Sequence, residues 1–151
     1  MEMANTYHHP ARIVFVLLFS VIDVVSAQGF QRAPLPKDHP WIGRWRIELP
    51  QFKCFEEYEV RGDGTRSAIA GQERNESEFV ISLTPSAKGY YKWVDRIVRN
   101  NGKPDCTGAL TPLGDVATNY ILLHPDGNRF LLCQAEDVNS CIGPYVRKKA
   151  E

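Results

Sequence analysis

The sequence has no excess of charge of either sign, and this absence excludes several classes of partner. Its 151 residues carry 18 lysines and arginines against 18 aspartates and glutamates. A nucleic-acid-binding domain normally shows a basic patch or stripe, and a protein that lies on a membrane surface normally has a basic helical face. The sequence contains neither pattern. We therefore expect no nucleic-acid partner and no binding to a membrane surface.

Histidine and the spacings typical of metal sites are also scarce. Beyond residue 27 the sequence has only two histidines, His39 and His124, and it has no C-x-x-C or H-x-x-x-H pair. Structural zinc sites are usually built from such pairs. The sequence also has no nucleophile elbow and no phosphate-binding loop. We therefore predict no metal, no cofactor and no enzymatic activity.

Long hydrophobic runs are missing as well. The longest apolar run, residues 13–22, has ten residues, whereas a membrane-spanning helix needs about 20. Arg12 precedes this run, and the small residues of Val25-Ser26-Ala27 follow it. This layout is typical of a secretory signal peptide; a retained membrane anchor is the alternative. We expect residues 1–27 to be cleaved, leaving a secreted or periplasmic protein without a stable membrane anchor.

All four cysteines lie beyond this leader, at Cys54, Cys106, Cys133 and Cys141. An even number of cysteines in an exported chain indicates disulfide bonds. Cys133 and Cys141 flank a short polar loop, which favours a bond between them and leaves Cys54 to pair with Cys106. The two other pairings stay open at this level.

Helical periodicity is absent, apart from a short turn around residues 111–118, and strand-like alternation takes its place. In the segment 41–49, Trp45, Ile47 and Leu49 fall on one face and charged side chains on the other, as in a half-buried strand. Glycine-rich and asparagine-rich turns separate further segments of this kind. These segments are 52–61, 65–70, 79–83, 90–99, 119–123, 129–134 and 141–147, with residues 71–78 predicted to be a polar connection.

Eight or nine short strands in local order favour an up-and-down meander, and closure into a barrel removes its exposed edges. We predict an all-β fold, an eight-stranded antiparallel up-and-down barrel over residues 41–148. A proline-rich extended arm, residues 28–40, precedes it, and a solvated tail, residues 149–151, follows. An open β-sandwich is the alternative. The interior of an eight-stranded barrel either fills with side chains or holds one small ligand.

Gly43-Arg44-Trp45, at the start of the first strand, resembles the Gly-x-Trp signature of lipocalins and related calycin barrels. In that family the tryptophan packs at the closed end of the barrel, and an arginine from the last strand lies across its ring. The resemblance implies structural roles for Gly43 and Trp45 and assigns the arginine to Arg147, with Lys148 as the alternative. A guanidinium over an indole face is a favourable contact, and here it would tie the first strand to the last.

Aromatic side chains of the central strands are the candidate ligand-binding residues, and they either line a barrel mouth or fill a small core. Asp95 lies on the same face of its strand as Tyr91 and Trp93, and Glu56 lies on the same face as Tyr58. If these faces point inward, burial should raise the pKa of both carboxyls; otherwise a bulge or strand end turns each one to solvent. The candidate set is Tyr58, Tyr91, Trp93, Asp95, Tyr120 and Phe130.

The function predicted from these observations is binding of a small hydrophobic or aromatic ligand by an exported, disulfide-linked, lipocalin-like barrel. The alternative is a protein-binding module, such as a secreted inhibitor of a hydrolase. In that case the arm, residues 28–40, would enter a cleft of the partner protein.

Overall fold

Eight antiparallel strands form a closed barrel in the computed structural model, which describes residues 30–149. Each strand pairs with the next one in sequence, and the last pairs with the first. The prediction of an eight-stranded up-and-down barrel is confirmed. The strands are β1 (Gly43–Leu49), β2 (Cys54–Val60), β3 (Thr65–Ala70), β4 (Glu73–Ile81), β5 (Tyr90–Asn100), β6 (Val116–Leu123), β7 (Arg129–Cys133) and β8 (Cys141–Arg147).

The signal peptide predicted for residues 1–27 lies outside the described residues. Within residues 30–149 no helix has the length and apolar character needed to span a membrane. The helical segments of this part of the chain are two single turns of 3-10 helix, Pro50–Phe52 and Val138–Ser140.

Strand β4 lies where the sequence predicted a polar connection, residues 71–78, and that prediction is wrong. Its first inward-facing residues, Glu73, Asn75 and Ser77, are all polar and all buried. The hydrophobic alternation that marks a strand is therefore missing from this half of β4. The strand forms because its backbone pairs with β3 along its first six residues and with β5 over most of its length.

Large side chains fill one end of the barrel, the end at which β1 begins and β8 finishes, and we call it the closed end. Trp41, Trp45, Phe79, Phe130 and Tyr145 are each at most 1% exposed. Trp45 meets Phe130 edge to face at 4.9 Å between ring centroids, and Phe130 stacks on Tyr145 at 4.8 Å. Such aromatic pairs stabilise a core beyond the area that they bury.

The proline-rich segment packs against the closed end, whereas the sequence predicted an extended arm or linker. The N–H of Ala33 donates to the carbonyl of Phe79, and the N–H of Leu35 donates to the carbonyl of Gly62. Gly64, with a φ of +80°, permits this approach, because a Cβ atom there would lie 2.6 Å from the carbonyl oxygen of Ala33. Residues 30–40 thus cover one end of the barrel.

Arg147 ties the two terminal strands together at the closed end. Its guanidinium carbon lies 4.0 Å from the centroid of the Trp45 ring. The same guanidinium donates hydrogen bonds to the carbonyls of Ile42, Pro40 and Gly127, at 2.7, 2.6 and 3.0 Å. Because β1 and β8 pair at only two positions, these side-chain contacts add to the few backbone hydrogen bonds that join the two strands.

Position 43, beside Arg147, requires a residue without a side chain. Its φ is +136°, a conformation that residues with a side chain rarely adopt. A Cβ atom at this position would lie 2.5 Å from Nη1 of Arg147. The Gly-x-Trp pattern therefore has a local physical reason: the glycine leaves space for the arginine that covers the tryptophan.

Both disulfides lie at the opposite end, which we call the open end. Cys54 is joined to Cys106, and Cys133 to Cys141, and these are the pairs that the sequence favoured. The first bond anchors the long loop 101–115 to the start of β2, and the second closes the loop between β7 and β8. Two disulfides are typical of a protein from an oxidising compartment.

Candidate functional site

A cavity of about 200 Å³ occupies the open half of the barrel. Inward-facing residues of β2 to β7 form its walls, and the loop 101–115 contributes part of its rim. Three of the wall residues, Ala68, Ala70 and Ala117, are small. The cavity exists because these strands carry small or polar residues inward at the open end and large apolar ones at the closed end.

A buried ion pair is the first of three polar clusters that line this cavity. Nη2 of Arg66 lies 3.0 Å from Oδ2 of Asp95, and both side chains are 6% exposed. The guanidinium also donates to Oγ of Ser77 and sits over the rings of Tyr58 and Trp93, at 4.7 and 5.2 Å from their centroids. Burial raises the pKa of the Asp95 carboxyl, and the charge of Arg66 opposes that rise.

The second cluster joins one carboxylate to two phenols. The hydroxyl of Tyr145 donates to Oε2 of Glu56 at 2.7 Å, and the hydroxyl of Tyr58 donates to the same oxygen at 3.2 Å. Burial raises the pKa of both hydroxyls well above their ordinary value. Both tyrosines therefore remain protonated donors at neutral pH, and they hold the Glu56 carboxylate in one orientation.

The third cluster centres on Glu73, which is 3% exposed. The side-chain amide of Asn100 donates to Oε1 of Glu73 at 3.0 Å, and it also donates to the carbonyl of Thr111. Asn100 thus links Glu73 to the loop 101–115. Among the ion pairs within residues 30–149, none involves Glu73.

The loop 101–115 adds Asp105, Thr111 and Asp115 to the cavity lining. It is held in place by the disulfide of Cys106 and by turn hydrogen bonds. The Asp105 carboxylate accepts from the backbone N–H groups of Thr107 and Ala109, at 2.8 and 2.9 Å. Long loops of this kind are often binding loops, and here a covalent anchor fixes the loop over the open end.

Trp93 contributes an unused hydrogen-bond donor. It lines the cavity and is 2% exposed, and its indole Nε1–H has no acceptor among residues 30–149. Buried indole N–H groups usually have a partner. The indole nitrogen of Trp41, in the closed-end core, likewise has no partner among residues 30–149, and both nitrogens are fully buried.

The structure brings three of the six candidate site residues together at the cavity: Tyr58, Trp93 and Asp95. Tyr91 lies nearer the closed end, with its ring centroid 5.4 Å from that of His39. Phe130 belongs to the closed-end core. The side chain of Tyr120 is on the outer face of β6, because its neighbours in the strand, Asn119 and Ile121, face inward.

Sequence reasoning missed the polar wall of the cavity, notably Arg66, Glu73 and Asn75. One signal was present: the alternation Glu73, Asn75, Ser77, which has the period of a strand but is polar on the inward face. Inward-facing residues of a strand are usually apolar, but these three face an interior that contains polar groups.

A comparison of the chain with protein-family models, with curated proteins and with solved structures finds no match. The fold and the site define a disulfide-linked up-and-down β-barrel with a polar cavity at its open end. Because one fold can carry many functions, the function has to be argued from the chemistry of this cavity.

Proposed function

We propose that this protein is an exported, lipocalin-like binding protein that holds one small ligand in the open half of its barrel. The observation that carries the proposal is the cavity itself, which lies above a tightly filled closed end. In a small barrel, side chains normally fill the interior unless a ligand occupies it. Here alanines at three positions of the wall keep the space open.

The size and lining of the cavity limit the ligand. A volume of about 200 Å³ equals that of roughly seven water molecules in the liquid, and it lies below the range of about 300–1,000 Å³ typical of drug-sized ligands. The sequence predicted a hydrophobic or aromatic ligand. Tyr58 and Trp93 support an aromatic body, while Glu73 and Asn75 favour polar groups on it. We therefore propose a small amphipathic molecule.

Binding is favoured over catalysis, because neighbouring side chains already engage the carboxylates of Glu56 and Asp95. Glu56 is held by two tyrosine hydroxyls and Asp95 by Arg66. His39 and His124, the histidines of residues 30–149, lie toward the closed end, away from the cavity. The alternative of a hydrolase inhibitor relied on a free arm, and residues 30–40 instead pack against the barrel.

A substitution that fills the cavity tests the proposal. Ala117 lines the cavity, and its neighbour Thr118 is exposed on the outer face of the same strand. The wild-type protein, Ala117→Phe and Thr118→Phe are titrated with 4-hydroxybenzyl alcohol and 4-hydroxybenzylamine, and amide chemical shifts are followed by NMR. We expect at least one probe to bind the wild-type protein and Thr118→Phe, and neither to bind Ala117→Phe. Equal binding to both variants, or no binding to the wild-type protein, would contradict the proposal.

A further inference from the structure

We propose that the ligand of this cavity is a small organic cation and that Glu73 is the residue that binds its positive charge. The inference rests on the proposed function and specifies the chemical class of the ligand. It comes from the charge balance of the cavity, the burial of Glu73 and the aromatic side chains of Tyr58 and Trp93 in the cavity wall.

The cavity lining carries far more negative than positive charge. Five carboxylates line it, whereas Arg66 is its one basic side chain. Asp95 is paired with Arg66, so the other four carboxylates are a surplus. They are Glu56, Glu73, Asp105 and Asp115. A concave site with this surplus attracts cations and repels anions.

The basic residues beside Glu73 in the chain and on the adjacent strand β5 form no ion pair with it. Arg74 follows it directly, but strand alternation turns Arg74 outward, and its Nη1 donates to the backbone carbonyls of Gly71 and Glu73. Arg99 is exposed on β5 and pairs with Glu76 on the outer surface. The negative charge of Glu73 therefore faces the interior without a basic partner in the described part of the chain.

Glu73 is the best placed of the four surplus carboxylates to bind a cation. Burial of an ionised carboxylate without a partner is costly, and the 3% exposure of Glu73 leaves little room for water to offset that cost. Glu56 already accepts from two hydroxyls. Asp105 is engaged in its own turn, and Asp115 lies on the exposed rim. The amide of Asn100 fixes the orientation of Glu73.

Tyr58 and Trp93 indicate a second feature of the ligand, because both residues line the cavity. The aromatic surface of Tyr58 and Trp93 suits a carbon ring more than a hydrated inorganic ion. The ligand class that fits is thus an aromatic or similarly compact amine.

Three probes of similar shape distinguish a failure of this inference from a failure of the proposed function. The probes are 4-hydroxybenzylamine, 4-hydroxybenzyl alcohol and 4-hydroxybenzoate, which are cationic, neutral and anionic at neutral pH. Their affinities are measured by calorimetry or NMR titration with the wild-type protein, Glu73→Gln and Glu76→Gln. Glu76 lies on the same strand and faces outward, so Glu76→Gln is a matched control for the loss of one carboxylate.

We expect the amine to bind the wild-type protein and Glu76→Gln at least about tenfold more tightly than the alcohol, which is the usual scale of a charge-assisted hydrogen bond. Glu73→Gln should remove most of that preference. If the alcohol or the benzoate binds as tightly as the amine, the cationic class is wrong while the binding cavity stands. A preference that survives in Glu73→Gln would overturn the role of Glu73. Failure of all three probes to bind the wild-type protein would overturn both proposals.

Discussion

Replacing Arg147 with leucine removes the side chain that connects the last strand to the first strand and to the segment that covers the closed end. Leucine retains part of the apolar contact with Trp45, but it has no donor for the carbonyls of Ile42, Pro40 and Gly127. Besides their two paired positions, β1 and β8 share one further backbone hydrogen bond, from the N–H of Lys148 to the carbonyl of Arg44. We therefore expect Arg147→Leu to be one of the most destabilising single substitutions outside the core.

The magnitude follows from the contacts. Each of the three hydrogen bonds contributes a net stabilisation of about 1 kcal/mol, and a guanidinium over an indole contributes about 1 kcal/mol more. The expected loss in the free energy of unfolding is thus about 4 kcal/mol, a large part of the ~5–15 kcal/mol typical of a domain. Arg147→Lys keeps the charge but lacks the planar fork, and we expect it to lose roughly half as much.

Urea or guanidinium denaturation, followed by tryptophan fluorescence, measures the loss. Lys148→Leu is the control, because Lys148 is the next residue and its side chain is exposed. It should change the free energy of unfolding by less than about 0.5 kcal/mol. If Arg147→Leu costs no more than this control, the role assigned to Arg147 in closing the barrel is refuted.

Three further predictions concern stability. Cys54→Ser combined with Cys106→Ser should lower the free energy of unfolding by up to about 4 kcal/mol, since the disulfide closes a loop of 52 residues; an unchanged denaturation midpoint would refute this. Gly43→Ala should cost about 2 kcal/mol, because alanine is strained at a φ of +136° and its Cβ would displace Arg147, and a melting temperature equal to that of the wild type would be the contrary result. The third concerns Asp95, whose pKa burial raises above its ordinary value of 3.8. Its carboxyl therefore contributes most to stability below pH 3.8 and loses this contribution as the pH rises through its folded-state pKa. The stability of the wild type relative to Asp95→Asn should thus decrease from acid to neutral pH in urea denaturation, and an increase would contradict the sign.

The barrel could be predicted because most of its strands show the alternation of a half-buried strand and are separated by recognisable turn residues. Residues 65–70 and 141–147 have the strand bounds that the sequence indicated, since turn residues or cysteines delimit each of them. Closure was predictable from strand number and local order. The contact between Trp45 and Arg147 followed from the family resemblance, and the structure adds the reason for Gly43.

The polar wall of the cavity could not be predicted, because its residues lie in strands whose inward faces are not hydrophobic. Glu73 and Asn75 resemble loop residues until the pairing of β4 with β3 and β5 is known. The packing of residues 30–40 on the closed end depends on contacts such as that of Ala33 with Phe79, which are far apart in sequence. Composition alone gives no information about such contacts.

A crystal structure of the protein grown with 4-hydroxybenzylamine would show directly where a cationic ligand binds. We expect the ligand inside the open half of the barrel, with its ammonium nitrogen about 3 Å from the Glu73 carboxylate and its ring beside Trp93. An empty cavity, with the ligand bound only in the apolar groove on the outer surface near Leu122, Pro125 and Pro144, would contradict this expectation.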